Sequence, residues 1–173
     1  MLSAELQQKI DREVAKYPAD QKQSAVMSAL GFAQDEHGWL STEVMNAVAD
    51  YLGMAPVAVY EVATFYTMYN MKPQGRFKIS ICTGLPCALS GAQVAAAYLK
   101  SRLRVGYKET TADGVFTLKE GECMGACGDA PVLIVNDRRM CSFMSDTRLD
   151  ELVDELTQAA ARGEGRHGHG DAK

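Results

Sequence analysis

Two cysteine-containing stretches decide how this chain is interpreted: residues 81–91, ICTGLPCALSG, and residues 121–137, GECMGACGDAPVLIVND. Each stretch contains one close pair of cysteines, and the two pairs are well separated along the chain. The four residues are Cys82, Cys87, Cys123 and Cys127. Because thiolates at such spacings are typical ligands of zinc and of iron–sulfur clusters, the pattern predicts a metal or cluster site.

Spacing alone leaves the kind of site open. Structural zinc accepts four cysteines with a few residues between paired ligands, and a 2Fe–2S cluster is also held by four thiolates. A thiol–disulfide enzyme usually has a Cys-x-x-Cys motif, which neither pair matches. Zinc and a 2Fe–2S cluster are therefore about equally favoured at this point, and a redox-active thiol pair is the weaker alternative.

The residues around the cysteines predict how the chain presents them. Phe77, Ile79 and Ile81 alternate with polar residues, which predicts a half-buried strand that leads into Cys82. Ser90 and Gln93 resemble a capping box, so we expect a helix to begin just after Cys87, with its N–H groups directed at the sulfurs. Glycines beside the cysteines would let the backbone come close to the sulfurs and donate hydrogen bonds to them. They are Gly84, Gly121, Gly125 and Gly128.

The rest of the C-terminal part has mixed periodicity. The pattern predicts a helix to about residue 103, strands over 115–118, 132–135 and 139–143, and a last helix capped by Asp146 or Thr147. Pro131 directly precedes the predicted strand at 132–135 and is a candidate for a cis peptide bond. The element order, close to β-α-β-β-β-α, predicts a small α/β sandwich with one mixed sheet.

In the N-terminal part, the spacing of apolar residues predicts helices only, up to about residue 70. We expect one over residues 3–17, one begun by Asp20 and Gln23, one from Ser41 or Thr42 to Gly53, and one with Pro56 in its first turn. The predicted fold class is therefore α+β. A helical bundle over 1–72 precedes an α/β domain with a mixed sheet over 73–162, and a glycine-rich tail over 163–173 is expected to be disordered.

Composition excludes several classes of function. The chain has 173 residues, 18 Lys and Arg against 22 Asp and Glu, and a net charge of −4, so it lacks the basic surplus typical of nucleic-acid binding. No apolar run approaches the ~20 residues that span a bilayer, and the N-terminus does not resemble a secretory signal. These two features favour an intracellular protein. The count of 5 cysteines is odd, which in an intracellular chain argues against a disulfide framework. The fifth, Cys141, is expected to be a buried small hydrophobe.

The two cysteine stretches resemble the thioredoxin-like 2Fe–2S ferredoxin family, and in particular its members in bacterial NADH–quinone oxidoreductase, respiratory complex I. Residues 33–41, AQDEHGWLS, and 59–73, VYEVATFYTMYNMKP, are similar to the helical portion of those members. The resemblance extends over nearly the whole chain apart from the tail. It implies a thioredoxin-like domain preceded by a helical bundle.

The resemblance also implies a function. Cys82, Cys87, Cys123 and Cys127 would ligate one 2Fe–2S cluster, and a partner subunit would carry FMN and oxidise NADH. The chain itself would be an electron carrier without catalytic residues. It shows no nucleotide-binding glycine motif. We expect it to lie in the cytoplasm, peripheral to the inner membrane through its partners, with residues 60–69 near a subunit boundary.

Three alternatives stay open. The same kind of subunit occurs in NAD-linked formate dehydrogenases and NAD-reducing hydrogenases. A zinc-stabilised interaction module would have no redox role. A soluble ferredoxin would act without a partner subunit.

Overall fold

The computed structural model describes residues 2–165 and confirms the α+β class. Helices occupy the first part of the chain, and a mixed sheet with helices follows. Within the described residues the chain divides into two compact units, 2–73 and 74–165. The predicted disordered tail lies outside the described residues from residue 166 onward. None of the helices within residues 2–165 combines the length and the apolar character needed to cross a membrane.

The N-terminal unit contains four α-helices within residues 2–73. They are α1 (Ala4–Val14), α2 (Val26–His37), α3 (Thr42–Leu52) and α4 (Pro56–Phe65). Their apolar sides form one core, in which Leu6, Leu30 and Val48 are fully buried. As predicted, the Ser41 hydroxyl caps α3 by accepting the Val44 N–H, and Gly53 ends α3 in the left-handed conformation.

The predicted start of α2 is wrong. A 3₁₀ turn over Lys22–Ala25 runs directly into α2, and Asp20 does not cap it. The Val26 N–H donates to the Gln23 carbonyl. Because the turn supplies a backbone acceptor at the start of the helix, a capping side chain is not needed there.

The C-terminal unit is a five-stranded mixed sheet with helices packed on one face. Its elements are β1 (Phe77–Cys82), α5 (Leu85–Leu89), α6 (Ala92–Leu103), β2 (Glu109–Thr110), β3 (Phe116–Gly121), β4 (Leu133–Val135), β5 (Arg139–Cys141) and α7 (Asp146–Ala161). The strand order is β2-β3-β1-β4-β5, with β1 parallel to β3 and the other pairs antiparallel. Ile79 and Leu118 of the sheet form a core with Leu99 of α6 and Leu149 of α7.

The strand β1 is buried on both faces, which corrects the prediction of a half-buried strand. Lys78 on the polar face is only 2% exposed, and its ammonium forms an ion pair with the Asp137 carboxylate in the β4–β5 turn. The alternation of apolar and polar residues predicted that this face meets water. It meets a charged partner instead, because a buried ammonium requires one.

Two local predictions about helix starts were also wrong, and one strand was missed. Residues 85–89 form the one-turn helix α5, and Gly91, not Ser90, precedes α6. The cap of α7 is Ser145, whose hydroxyl accepts the Arg148 N–H. The two-residue strand β2 was not predicted. Elements this short contain too few residues to show a periodicity.

We expect Asp137→Asn to lower the free energy of unfolding by about 2 kcal/mol, because it leaves the buried Lys78 ammonium without its counter-charge. Asn accepts a left-handed backbone conformation, and the φ of Asp137 is 57°. Urea unfolding followed by circular dichroism measures the change.

Two further variants make this test specific. Lys78→Met combined with Asp137→Asn should recover most of the loss, because no buried charge remains. Asp154→Asn removes an exposed ion pair with Arg102 and should change stability by less than about 1 kcal/mol. Equal losses for Asp137→Asn and Asp154→Asn would contradict the prediction.

Candidate metal centre

The parallel pairing of β1 with β3 brings the two cysteine stretches together. The register runs from Phe77 opposite Phe116 to Cys82 opposite Gly121. The pairing continues beyond the strands, because the Thr83 N–H donates to the Gly121 carbonyl at 2.8 Å. The residue after it, Gly84, donates to the Glu122 carbonyl at 3.0 Å. The loop that follows Cys82 therefore runs beside the residues that lead into Cys123.

Cys82 contacts both neighbouring segments of this sheet edge. Its N–H donates to the Val132 carbonyl at 3.0 Å, next to β4. Its thiol donates to the Glu122 carbonyl, with the sulfur 2.9 Å from the oxygen. Cys82 is thereby fixed between the second cysteine loop and the segment that enters β4.

The four cysteines differ in exposure. Cys82 and Cys87 are buried, at 2% and 1% exposure. Cys123, in the loop after β3, and Cys127, at the start of a 3₁₀ turn, are exposed. Cys87 is the third residue of α5 and so lies inside a helix, not before one as predicted.

The pKa values show that the thiols of both pairs influence one another. Burial raises the pKa of Cys87, and hydrogen bonding and Coulombic interaction with Cys82, together with the charge of Cys127, raise it further. Cys127 is exposed as a residue, but partial desolvation of its thiol raises the pKa of Cys127, as do its interactions with Cys123 and Cys82. Because neighbouring thiolates repel, a cationic centre is what allows such a set to ionise together.

An apolar shell covers the two buried thiols. Cys82 and Cys87 form a buried cluster with Ala92 and Val132. Partly buried apolar residues pack against this cluster, and they are Met124, Ala126 and Ala130. Such a shell limits the access of water to the sulfurs and lowers the local dielectric constant, which tunes the potential of a bound redox group.

Of the four glycines near the cysteines, only Gly84 lies so close to neighbouring backbone that a side chain would clash with it. A Cβ on Gly84 would lie 2.9 Å from the Glu122 carbonyl oxygen and 3.6 Å from the Cys82 sulfur. On Gly121 it would meet only the flexible methyl end of Met124 at such short range. Gly125 has a φ of 74°, which favours glycine, but a Cβ on Gly125 or on Gly128 would meet nothing within 4 Å. The close approach of backbone that was expected at the four glycines is therefore not found at Gly125 or Gly128.

The donor set fits a centre with two irons. The thiols interact most strongly as two pairs, Cys82 with Cys87 and Cys123 with Cys127. Two thiolates for each of two irons are the ligands of a 2Fe–2S cluster.

A second loop, which the sequence did not indicate, supports the Cys127 turn. The Phe143 N–H donates to the Asp129 carbonyl at 2.8 Å, and the Ser142 hydroxyl donates to the Asp129 carboxylate at 3.2 Å. The Met144 N–H donates to the Pro131 carbonyl at 3.0 Å, and the Ala130–Pro131 peptide bond is cis. These contacts join residues that are far apart in the chain, so no local pattern could predict them.

Cys141 lies in β5, apart from the two cysteine pairs. It lies in β5 opposite Leu133 and packs, partly buried, against the main core of the unit. Burial raises the pKa of its thiol.

We expect Gly84→Ala to lower the iron bound per chain severalfold after reconstitution with iron and sulfide, because its Cβ would push the two cysteine loops apart. Gly128→Ala is the matched control, since the added methyl group meets open space. Elemental analysis of the two variants beside the unaltered chain measures the effect. Full iron content in Gly84→Ala would show that the close approach of the loops is not needed.

Comparison with known proteins agrees with this geometry. The family model for the thioredoxin-like [2Fe-2S] ferredoxin matches residues 10–157. The chain is 39% identical to an NADH-quinone oxidoreductase subunit of Rhizobium meliloti (strain 1021) over 164 residues, which covers 90% of this chain and 96% of that protein. It is 41% identical to the corresponding NADH-quinone oxidoreductase subunit of Rickettsia conorii over 144 residues, which covers 83% and 86% of the two chains.

A solved structure shares the fold. An NAD+-reducing [NiFe]-hydrogenase in the H2-reduced state superimposes with a TM-score of 0.66 at 18% identity, covering 75% of this chain and 22% of the hydrogenase chain. The family match confirms that the mixed sheet belongs to a thioredoxin-like domain. On these grounds the chain belongs to the thioredoxin-like [2Fe–2S] ferredoxin family.

Proposed function

We propose that this chain is the electron-transfer subunit of an NADH–quinone oxidoreductase and holds one 2Fe–2S cluster. The ligands would be Cys82, Cys87, Cys123 and Cys127. The observation that carries the proposal is the backbone ladder from β1 and β3, which sets two cysteine pairs beside each other at one sheet edge. The names of relatives that match nearly their whole length support the choice of complex.

The chain's own contribution is to hold the centre and to leave one edge of it accessible. When bound, a 2Fe–2S cluster stores and releases a single electron. Cys82 and Cys87 would hold its inner side beneath Ala92 and Val132, where apolar contacts exclude water. Cys123 and Cys127 would hold its outer side, where electrons can enter and leave.

The proposed function requires a partner subunit with FMN and an NADH site. NADH transfers a hydride, which carries two electrons, to a flavin, whereas an iron–sulfur centre accepts one at a time. The sequence has no nucleotide-binding glycine motif. NADH oxidation therefore belongs to the partner, and this chain exchanges single electrons with its flavin.

The equivalent subunit of an NAD-linked formate dehydrogenase or NAD-reducing hydrogenase is the alternative. The hydrogenase neighbour shares the fold with this chain, whereas the names of the relatives favour the quinone oxidoreductase. The proposed place of the chain is the cytoplasmic face of the membrane, through its partners. The division into a helical domain, 1–72, a cluster domain, 73–162, and a disordered tail, 163–173, stays a prediction.

The end of α4 is the part of the N-terminal unit that we propose to lie at a subunit boundary. Phe65 is 78% exposed. The segment that follows Phe65 is fixed, because the Tyr69 hydroxyl donates to the Met27 carbonyl at 2.8 Å. The Gln34 side chain also donates to the Met68 carbonyl and accepts the Asn70 N–H. A rigidly held, exposed aromatic side chain is typical of protein interfaces.

We expect anaerobically purified protein to show visible absorption bands that bleach with dithionite. The reduced protein should give a rhombic EPR signal from one unpaired electron per chain, because a single 2Fe–2S cluster accepts one electron. A colourless, EPR-silent protein that contains one zinc would overturn the proposed function and leave the zinc-stabilised module.

Replacement of the cysteines one at a time tests the ligand set. Cys82→Ser, Cys87→Ser, Cys123→Ser and Cys127→Ser should each lower iron and sulfide content or alter the EPR signal, because each removes a proposed thiolate ligand. Cys141→Ser is the matched control and should keep both unchanged, because its side chain packs against the main core. A loss of iron in Cys141→Ser equal to that in the other four variants would contradict the assignment.

A further inference from the structure

We propose that Lys119 is an acylation site, whose amine takes the acyl group of a small acyl phosphate without the help of an enzyme. The inference goes beyond the proposed function, because it concerns the polar face of the sheet and needs no cluster. Lys119 lies in β3 and belongs to what we call the amine cluster, which consists of Lys78, Lys108 and Lys119.

Lys119 shares a face of the sheet with the buried ammonium of Lys78. Ser80 of β1 lies opposite Lys119 in the parallel register, and Lys78 lies opposite Thr117. Because side chains alternate between the two faces of a strand and paired positions share a face, all four project from the side of the sheet opposite the apolar core. Lys119 is half-buried on this face, whereas Lys78 and Thr117 are buried.

Lys108 brings a third amine to the cluster from the other side of β3. Its N–H donates to the Leu118 carbonyl at 2.7 Å, so it lies beside β3 directly before β2, and its side chain is exposed. Asp137 contributes a carboxylate to the same face, and it already forms an ion pair with Lys78. Lys119 is therefore held between two other ammonium groups.

These surroundings favour the uncharged form of the Lys119 amine. Burial lowers the pKa of Lys119 to about 8, and the ammonium groups of Lys78 and Lys108 add to this lowering, while Asp137 opposes it. At neutral pH about one Lys119 amine in ten is therefore uncharged, against about one in a few thousand for an ordinary lysine. Only the uncharged amine has the lone pair that attacks a carbonyl carbon, so the amine cluster makes Lys119 a nucleophile.

Charge and space identify the acyl donor. Lys108 is an exposed cation beside the amine, and it attracts a donor that carries negative charge. Because Lys119 is half-buried, a compact donor reaches it more easily than one with a large leaving group. An acyl phosphate meets both requirements, since its leaving group is a single phosphate.

The transfer balances without a further reactant. The Lys119 nitrogen forms a bond to the carbonyl carbon, the bond from that carbon to the phosphate oxygen breaks, and inorganic phosphate leaves. A proton passes from the nitrogen to water. The product is an uncharged amide, so the amine cluster loses one positive charge and the repulsion between Lys119 and Lys78 ends.

The experiment treats the purified full chain with limiting acetyl phosphate at neutral pH and locates the acetyl groups by peptide mass spectrometry. Lys119 should react about tenfold faster than Lys22, an exposed lysine of the N-terminal unit, because its larger uncharged fraction outweighs its lower basicity. The rate at Lys119 should rise with pH and level off above about 8, where the amine is mostly uncharged. A rate at Lys119 equal to or below that at Lys22 would overturn the proposal.

Lys108→Asn tests the neighbouring cation. The φ of Lys108 is 66°, and Asn accepts this left-handed conformation, so the variant should keep the turn. Acetylation of Lys119 by acetyl phosphate should slow severalfold, whereas acetylation by the uncharged ester N-acetoxysuccinimide should slow less, because a cation does not attract it. Lys22→Asn is the matched control for net charge and should leave both rates at Lys119 unchanged. Equal slowing with both reagents would overturn the choice of an anionic donor.

A third reagent tests the size of the donor. Acetyl-coenzyme A carries the same acetyl group and also negative charge, but its leaving group is far larger. It should acetylate Lys119 more slowly than acetyl phosphate does at equal concentration. A faster reaction with the thioester would overturn the choice of a small donor.

Stability shows whether the folded chain accepts the acyl group. Because the pKa of Lys119 is lower in the folded chain than in the unfolded chain, its ammonium opposes folding at neutral pH, and this effect disappears as pH rises toward the ordinary lysine pKa of about 10.4. Acetylation removes the ammonium, so the urea midpoint of the acetylated chain should be higher at neutral pH.

Lys119→Arg is the control for this measurement, because it keeps the charge and cannot be acetylated at that position. After the same treatment its urea midpoint should shift less than that of the unaltered chain. A lower midpoint for the acetylated unaltered chain would show that the polar face has no room for the acyl group, and it would overturn the proposal. None of these readouts depends on the iron content, so they leave the proposed function to its own tests.

Discussion

The parallel pairing of β1 with β3 is the constraint on which the site depends. Parallel neighbours end at the same edge of a sheet, and they require a crossover connection, which α5 and α6 supply here. The carboxyl ends of both strands lead into the cysteine loops, and two further backbone hydrogen bonds extend the pairing to Glu122. A register shift by one residue would turn Cys82 to the opposite face and separate the pairs.

The difference in burial between the two cysteine pairs gives the proposed centre an inner and an outer side. Cys82 and Cys87 lie under apolar side chains, whereas Cys123 and Cys127 lie on loops supported by residues 142–144. A redox centre needs both properties. Its inner side must be rigid and dry to set the potential, and its outer side must admit a partner closely enough for electrons to pass.

Sequence reasoning succeeded for features that depend on neighbouring residues in the chain. It failed for features that depend on contacts made only in the folded protein. The Ser41 cap, Gly53 and Pro56 were predicted, because each acts within one helical turn. The capping boxes at Asp20 and Ser90 were wrong, because a 3₁₀ turn and the short helix α5 supply the backbone contacts there. Lys78 was expected to face water, and only the folded chain shows that it is buried against Asp137.

The sequence by itself determined the thiol set, the α+β order and the resemblance to 2Fe–2S proteins, since these depend on residue types and short spacings. The tertiary structure alone decided which thiols are buried, why Gly84 tolerates no Cβ, and how Phe143 comes to lie beside Asp129. The physical reason is that each of these features depends on contacts between segments that are distant in the chain. No local pattern of residues records such contacts.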